Sequence, residues 1–140
     1  MLLSKNDPSY LLISRHYDGK FARRSGVPYM QHIDEGLIVL DVMGASLDAQ
    51  RAYCLHPYVQ SDEDLNRHIQ TVLHLNLPWA YALEYRSVAN EYLSHRMIGN
   101  ISQIRLSPLY VVNQMLIADK VQNRKDFELY HKDTHPRSSI

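Results

Sequence analysis

Residues 28–43 read PYMQHIDEGLIVLDVM, and the placing of their apolar side chains decides the fold class. Ile33, Leu37 and Leu40, with Val39 beside them, recur at intervals of three and four, so one face of a helix is apolar and needs covering by other parts of the chain. The same spacing returns near the far end, where Val111, Met115, Ala118 and Val121 fall on one side. Proline punctuates the stretches between: Asp7-Pro8, Leu77-Pro78 and Ser107-Pro108 each open an apolar-periodic run, as expected of proline in a first helical turn. Helices are therefore predicted over about 8–17, 28–43, 47–56, 62–75, 78–95 and 108–124, with a further short one over 126–131. Strand-like alternation is nowhere sustained, so the expected fold is all-α, a compact bundle of about six helices.

The chain has 140 residues, of which 45% are apolar, enough for one domain with its own core. A single domain over 1–131 is expected, followed by a frayed tail over 132–140 that contains His135-Pro136 and two serines. Fifteen basic and fifteen acidic side chains cancel, so no overall field attracts nucleic acid or an anionic membrane, and an anionic ligand has to be captured by a local basic cluster. No apolar run approaches the roughly 20 residues that span a bilayer. The first residues, Met1 to Asp7, lack the charged start and long apolar run of a secretory signal. A single cysteine, Cys54, forms no internal disulfide, which points to a reducing cytoplasm.

Eight histidines are more than average usage supplies. His68, His74, His95, His131 and His135 have no evident partners in sequence and read as surface or capping residues. His32 lies within an apolar helix and His56 closes the run Ala52-Tyr53-Cys54-Leu55, so each is expected to be buried with its ring nitrogens satisfied by hydrogen bonds or by a metal. Asp119 follows an apolar helical face in Leu116-Ile117-Ala118-Asp119-Lys120 and is costly to bury unpaired; a metal, Lys120 or Arg124 is available to neutralise it. Ser61 ahead of Asp62, Glu63 and Asp64 is a helix start, with a capping hydroxyl and carboxylates at the positive end of the dipole.

Three blocks together resemble one family. His16-Tyr17-Asp18-Gly19-Lys20-Phe21-Ala22-Arg23-Arg24-Ser25-Gly26-Val27-Pro28-Tyr29-Met30-Gln31-His32 resembles the opening signature of RelA/SpoT-type HD hydrolases, a histidine, a basic loop and then Gly-x-Pro-Tyr-x-x-His. Ala52-Tyr53-Cys54-Leu55-His56 is similar to the family's Ala-x-Leu-Leu-His, and Ile117-Ala118-Asp119-Lys120-Val121-Gln122-Asn123-Arg124 to its Leu-Ala-Asp-Lys-x-x-Asn-x-Arg. The blocks occur in the family's order and span about residues 10–127. The resemblance implies that His32, His56 and Asp119 hold a divalent ion, usually manganese, and that Arg23, Arg24, Lys120 and Asn123 contact a nucleotide. Guanidinium groups suit phosphate oxygens; without the flanking blocks the same residues read as a solvated loop and an exposed helix face.

One departure is plain. Where the family has the aspartate of its His-Asp pair this chain has Pro57, and where the family has a Glu-Asp pair that positions water it has Gln60 and Ser61. Proline offers no side-chain oxygen and no backbone N–H, so one anionic ligand is missing and the helix should end or bend there. Asp62 and Glu63, just past that break, are the candidate catalytic acids that restore the lost charge, and Glu35, one turn after His32, is a further candidate ligand. Arg86 and Asn90, four apart, either wall the pocket or belong to a packing helix. Two functions are consistent with the pattern: a metal-dependent phosphohydrolase acting on a phosphorylated nucleotide, such as a guanosine tetraphosphate-like alarmone losing its 3'-pyrophosphate, or a degenerate HD domain that binds a nucleotide or a protein partner. No synthetase region is visible, so the expected role is hydrolytic or binding only.

Overall fold

The computed structural model describes residues 1–23, 25–68, 70, 76–97 and 109–126, with backbone alone for 91–97 and 123–126. Six α-helices form among these residues: α1 (Pro8–His16), α2 (Tyr29–Val42), α3 (Leu47–Leu55), α4 (Asp62–Arg67), α5 (Leu77–Met97) and α6 (Tyr110–Asp126). A 3₁₀ turn, His56–Val59, joins α3 to α4. The only extended pairing among the described residues is an isolated antiparallel bridge, Phe21 to Pro28, so the fold is all-α as expected.

Local chemistry starts each helix. Asp7 caps α1 by accepting from the Ser9 N–H at 3.0 Å, with Pro8 at the first helical position. Ser46 caps α3 by accepting from the Ala49 N–H at 3.1 Å, and Ser61 caps α4 by accepting from the Asp64 N–H at 3.0 Å. Helix α2 follows Pro28 without a side-chain cap, and its first N–H, on Tyr29, donates instead to the Lys20 carbonyl at 3.1 Å. That bond and the Ala22 N–H to Val27 carbonyl bond at 2.9 Å close residues 20–29 into a small hairpin, whose return is made by Gly26 at φ +70°. The basic loop of the sequence is therefore a tied structure that leads directly into the helix bearing His32.

Most helix ends lie within a few residues of those predicted, and one is set by a proline. The helix predicted over 47–56 ends at Leu55 because Pro57 has no N–H to donate back to Tyr53, and the chain tightens into the 3₁₀ turn. The helix predicted over 62–75 is described only to Arg67, with His68 as its cap. Residues 69 and 71–75 of that stretch, the predicted helix 126–131 beyond Asp126 and the predicted tail 132–140 lie outside the described residues. No helix among the described residues is long and apolar enough to cross a membrane.

Helix α3 lies at the centre, against α1, α2, α5 and α6, and α2 packs along α6. Its Ala49, Ala52, Tyr53 and Cys54 are fully buried with Ile13, Ile33 and Leu40. Helix α3 meets α2 at Gly36, where an added Cβ would stand 2.2 Å from the Tyr53 ring and hydroxyl. Gly36→Ala is expected to destabilise the protein by about 2 kcal/mol or more, because the clash meets a fully buried ring. At an exposed helical site the same change stabilises by up to about 1 kcal/mol, so the sign of the shift in urea midpoint decides whether the contact is as tight as described.

Candidate functional site

Three elements each deliver one side chain to a common point. His32 comes from the first turns of α2, His56 from the 3₁₀ turn and Asp119 from the middle of α6, and one ligating atom of each lies within 4.8 Å of the other two. His32 Nε2 stands 2.9 Å from Asp119 Oδ1. The imidazoles of His32 and His56 are 5.9 Å apart at 65°.

Each histidine is held from behind. His32 Nδ1 is hydrogen-bonded to the side-chain oxygen of Gln122, a buried residue three after Asp119 on the same helix. His56 Nδ1 is hydrogen-bonded to the Tyr53 carbonyl. That carbonyl is the one an N–H at position 57 would have used in a continued helix; Pro57 has none, and the imidazole takes its place. His32 thereby presents Nε2 to Asp119, the orientation in which a histidine ligates a metal while its other nitrogen is fixed on an oxygen, and the tie at Nδ1 leaves His56 its Nε2 for the same use.

The electrostatics agree with a cation-binding set. Burial holds the His56 imidazole down to about 4, only partly offset by Asp119, so it is neutral at pH 7 with an available lone pair. Burial pushes Asp119 up, but the hydrogen bond with His32, the two imidazoles and the Tyr85 hydroxyl outweigh it and keep the carboxylate below its usual range. Two buried phenols surround the group: Tyr85 hydrogen-bonds to Asp119, and the Tyr53 hydroxyl lies 3.2 Å from His32 Nε2. Both hydroxyls are pushed well above their ordinary range, first by burial and next by the Asp119 charge. The single thiol, Cys54, is pushed up to about 12 by burial and is no nucleophile at neutral pH.

The other candidate residues occupy different places. Asp62 is 94% exposed and pairs with Arg86, while Glu63 is 80% exposed and pairs with Arg67 at 2.8 Å; neither joins the His32, His56 and Asp119 group. Their carboxylates sit at the start of α4, where the helix-start reading had put them, and the outward face of that turn is why they point to solvent. Glu35 accepts from the Gln31 side chain at 2.9 Å and is also outside the group. Arg23 is exposed in the hairpin, and Lys120 is exposed on α6 next to Asp119. Arg24 and the Asn123 side chain lie outside the described residues, as do His74, His131, His135 and the His95 side chain. Of the remaining surface histidines, His68 has a partner after all: its Nδ1 donates to the Tyr58 carbonyl at 2.7 Å and its ring stacks on Tyr58.

Arg86 and Asn90 serve the turn that carries His56. The Arg86 Nε donates to the Val59 carbonyl at 2.7 Å, and Asn90 and Gln60 exchange bonds of 3.1 and 3.3 Å. Sequence reasoning passed over Tyr53, Tyr85, Gln122 and Gly36. Tyr53 was detectable in principle, since it is three residues before His56 and therefore on its face, and Gln122 likewise, as a polar residue at an apolar position three after Asp119. Tyr85 and Gly36 owe their roles to contacts between helices, which spacing along one helix does not reveal.

The fold and the cluster define a class, an all-helical domain that gathers two imidazoles and a carboxylate from three separate elements. No family model, no curated protein and no solved structure matches the chain.

The depressed imidazole has a consequence for stability. A neutral buried His56 favours the folded state above the unfolded value of 6.5, and that contribution is lost as pH falls from 6.5 to about 4, on the order of 3 kcal/mol in all. In chelator, the urea midpoint is expected to drop across this range and to drop less in His56→Asn, which keeps a donor for the Tyr53 carbonyl. His16, also lowered by burial, titrates in both proteins, so parallel slopes would show that His56 is not the group responsible.

Proposed function

We propose that this protein is a metal-dependent phosphohydrolase of HD type acting on a phosphorylated nucleotide. The observation that supports the reading best is the convergence of His32, His56 and Asp119 within 4.8 Å, with both Nδ1 atoms tied back to oxygen acceptors. Two imidazole nitrogens and a carboxylate oxygen suit a borderline divalent ion such as manganese, iron or zinc. Such an ion supplies a Lewis acid for a phosphoanhydride and lowers the pKa of a water.

The chain's own residues would do the remainder. Gln122 and the Tyr53 carbonyl hold the imidazoles in one tautomer each, and Tyr85 orients Asp119. Arg23 and Lys120, exposed on the hairpin and on α6, are the described cationic groups that the resemblance assigns to phosphate. With Arg24 and Asn123 they would select a phosphorylated nucleotide, and a guanosine tetraphosphate-like alarmone is the substrate class the sequence pattern favours.

A second reading rests on a specific observation. At the positions where the resemblance expects an aspartate and a Glu-Asp pair, Pro57 opens the 3₁₀ turn, Gln60 is bonded to Asn90 and Ser61 caps α4. These residues do structural work, and a domain so altered would bind its nucleotide or a partner without hydrolysing it.

Elemental analysis of protein purified without chelator separates the two. Under the hydrolase reading, manganese, iron or zinc is bound near one per chain, is lost in His56→Ala, and wild-type protein with added manganese releases phosphate or pyrophosphate from a guanosine tetraphosphate. Protein that binds no metal after manganese is supplied, yet retains nucleotide, would support the second reading and overturn the first.

A further inference from the structure

Pro57 leaves the candidate metal group one oxygen short of the set the resemblance implies, and a buried hydroxyl three residues before His56, that of Tyr53, stands 3.2 Å from His32 Nε2. We propose that the Tyr53 hydroxyl is the fourth ligand of this group, standing in for the carboxylate that Pro57 lacks; the proposal rests on the reading of His32, His56 and Asp119 as a metal site.

Four observations support it. Ligand atoms about 2.1 Å from one ion lie roughly 3.0–3.4 Å from their neighbours, whether the arrangement is octahedral or tetrahedral. His32 Nε2 has Asp119 Oδ1 at 2.9 Å and the Tyr53 hydroxyl at 3.2 Å, so both oxygens stand at ligand-to-ligand spacing from a ligating nitrogen. The Tyr53 ring packs beside both imidazoles, its centroid 5.7 Å from that of His32 and 4.8 Å from that of His56. It is 0% exposed, so the hydroxyl has no bulk water to solvate it, and among the described residues its oxygen partner is the His32 carbonyl at 3.4 Å, a long bond.

The backbone is arranged to admit this hydroxyl. Gly36 has no Cβ where the end of the Tyr53 ring passes over α2, and any side chain there would meet the hydroxyl and the adjoining ring carbons at 2.2–2.3 Å. Tyr53 also provides the backbone carbonyl that holds His56, so its side chain supplies a donor atom while its backbone orients a second ligand. Tyr85 occupies a different role, as the partner of Asp119 rather than of a nitrogen.

Coordination would be by the neutral hydroxyl for manganese or zinc. For ferric iron, the stronger charge would draw off the phenolic proton to solvent, leaving an oxygen anion on the ion.

The test uses the full chain and two conservative variants, Tyr53→Phe and Tyr85→Phe, which keep the rings. Manganese and zinc affinities are measured by calorimetry, and ferric iron is supplied as its citrate complex while the visible spectrum is recorded. Wild type is expected to show a tyrosinate-to-iron charge-transfer band that Tyr85→Phe retains and Tyr53→Phe lacks. Tyr53→Phe is expected to bind manganese at least about tenfold more weakly, with a urea midpoint in chelator close to wild type. A variant Tyr53→Phe with unchanged affinity and an intact band overturns this inference alone, since the metal site would stand without the phenol. Wild-type protein that binds none of the three ions overturns both this inference and the metal reading beneath it.

Discussion

The packing of one tyrosine ring over one glycine sets the geometry on which the rest depends. Tyr53 reaches across from α3 to lie against α2 at Gly36, and only the missing Cβ allows the two helices to stand that close. Move them apart by the width of a methyl group and the consequences spread. His32, one turn before Gly36, would lose its place beside the Tyr53 hydroxyl, and Asp119 on α6, which packs along α2, would no longer meet both imidazoles. Small residues, Ala49 and Ala52, accompany the large Tyr53 ring among the fully buried positions of α3, the helix that meets α1, α2, α5 and α6.

Around that contact the polar groups form a satisfied network instead of an apolar interior. The buried His56 and the half-buried His32 and Asp119 are tolerated because each has a partner: Gln122 for His32, the Tyr53 carbonyl for His56, and His32 and Tyr85 for Asp119. The turn that bears His56 is held from outside by Arg86 and by the Gln60–Asn90 pair, so the imidazole is fixed both within its own turn and by α5.

Much of this was legible beforehand, and the remainder was hidden for physical reasons. Periodicity in 28–43 and around Val111 to Val121 exposed the helices, because a 3.6-residue repeat is a property of one segment. His32, His56 and Asp119 stood out as costly residues in apolar settings, and the structure brings those three together. Asp62 and Glu63 were drawn into the site by proximity to Pro57 in sequence, whereas the turn at Ser61 directs them outward to Arg86 and Arg67. Tyr53 and Gly36 escaped notice because their importance is mutual, and neither is unusual until the helices are set side by side.

Pro57 also makes the anchor of His56 conditional on the absence of one N–H. With proline there, the Tyr53 carbonyl has no backbone donor from position 57 and holds the imidazole instead. Any other residue at 57 would bring an N–H that competes for that carbonyl, so a substitution made to add an oxygen at this position would also loosen the histidine beside it. An oxygen donor added from another element would leave the anchor untouched.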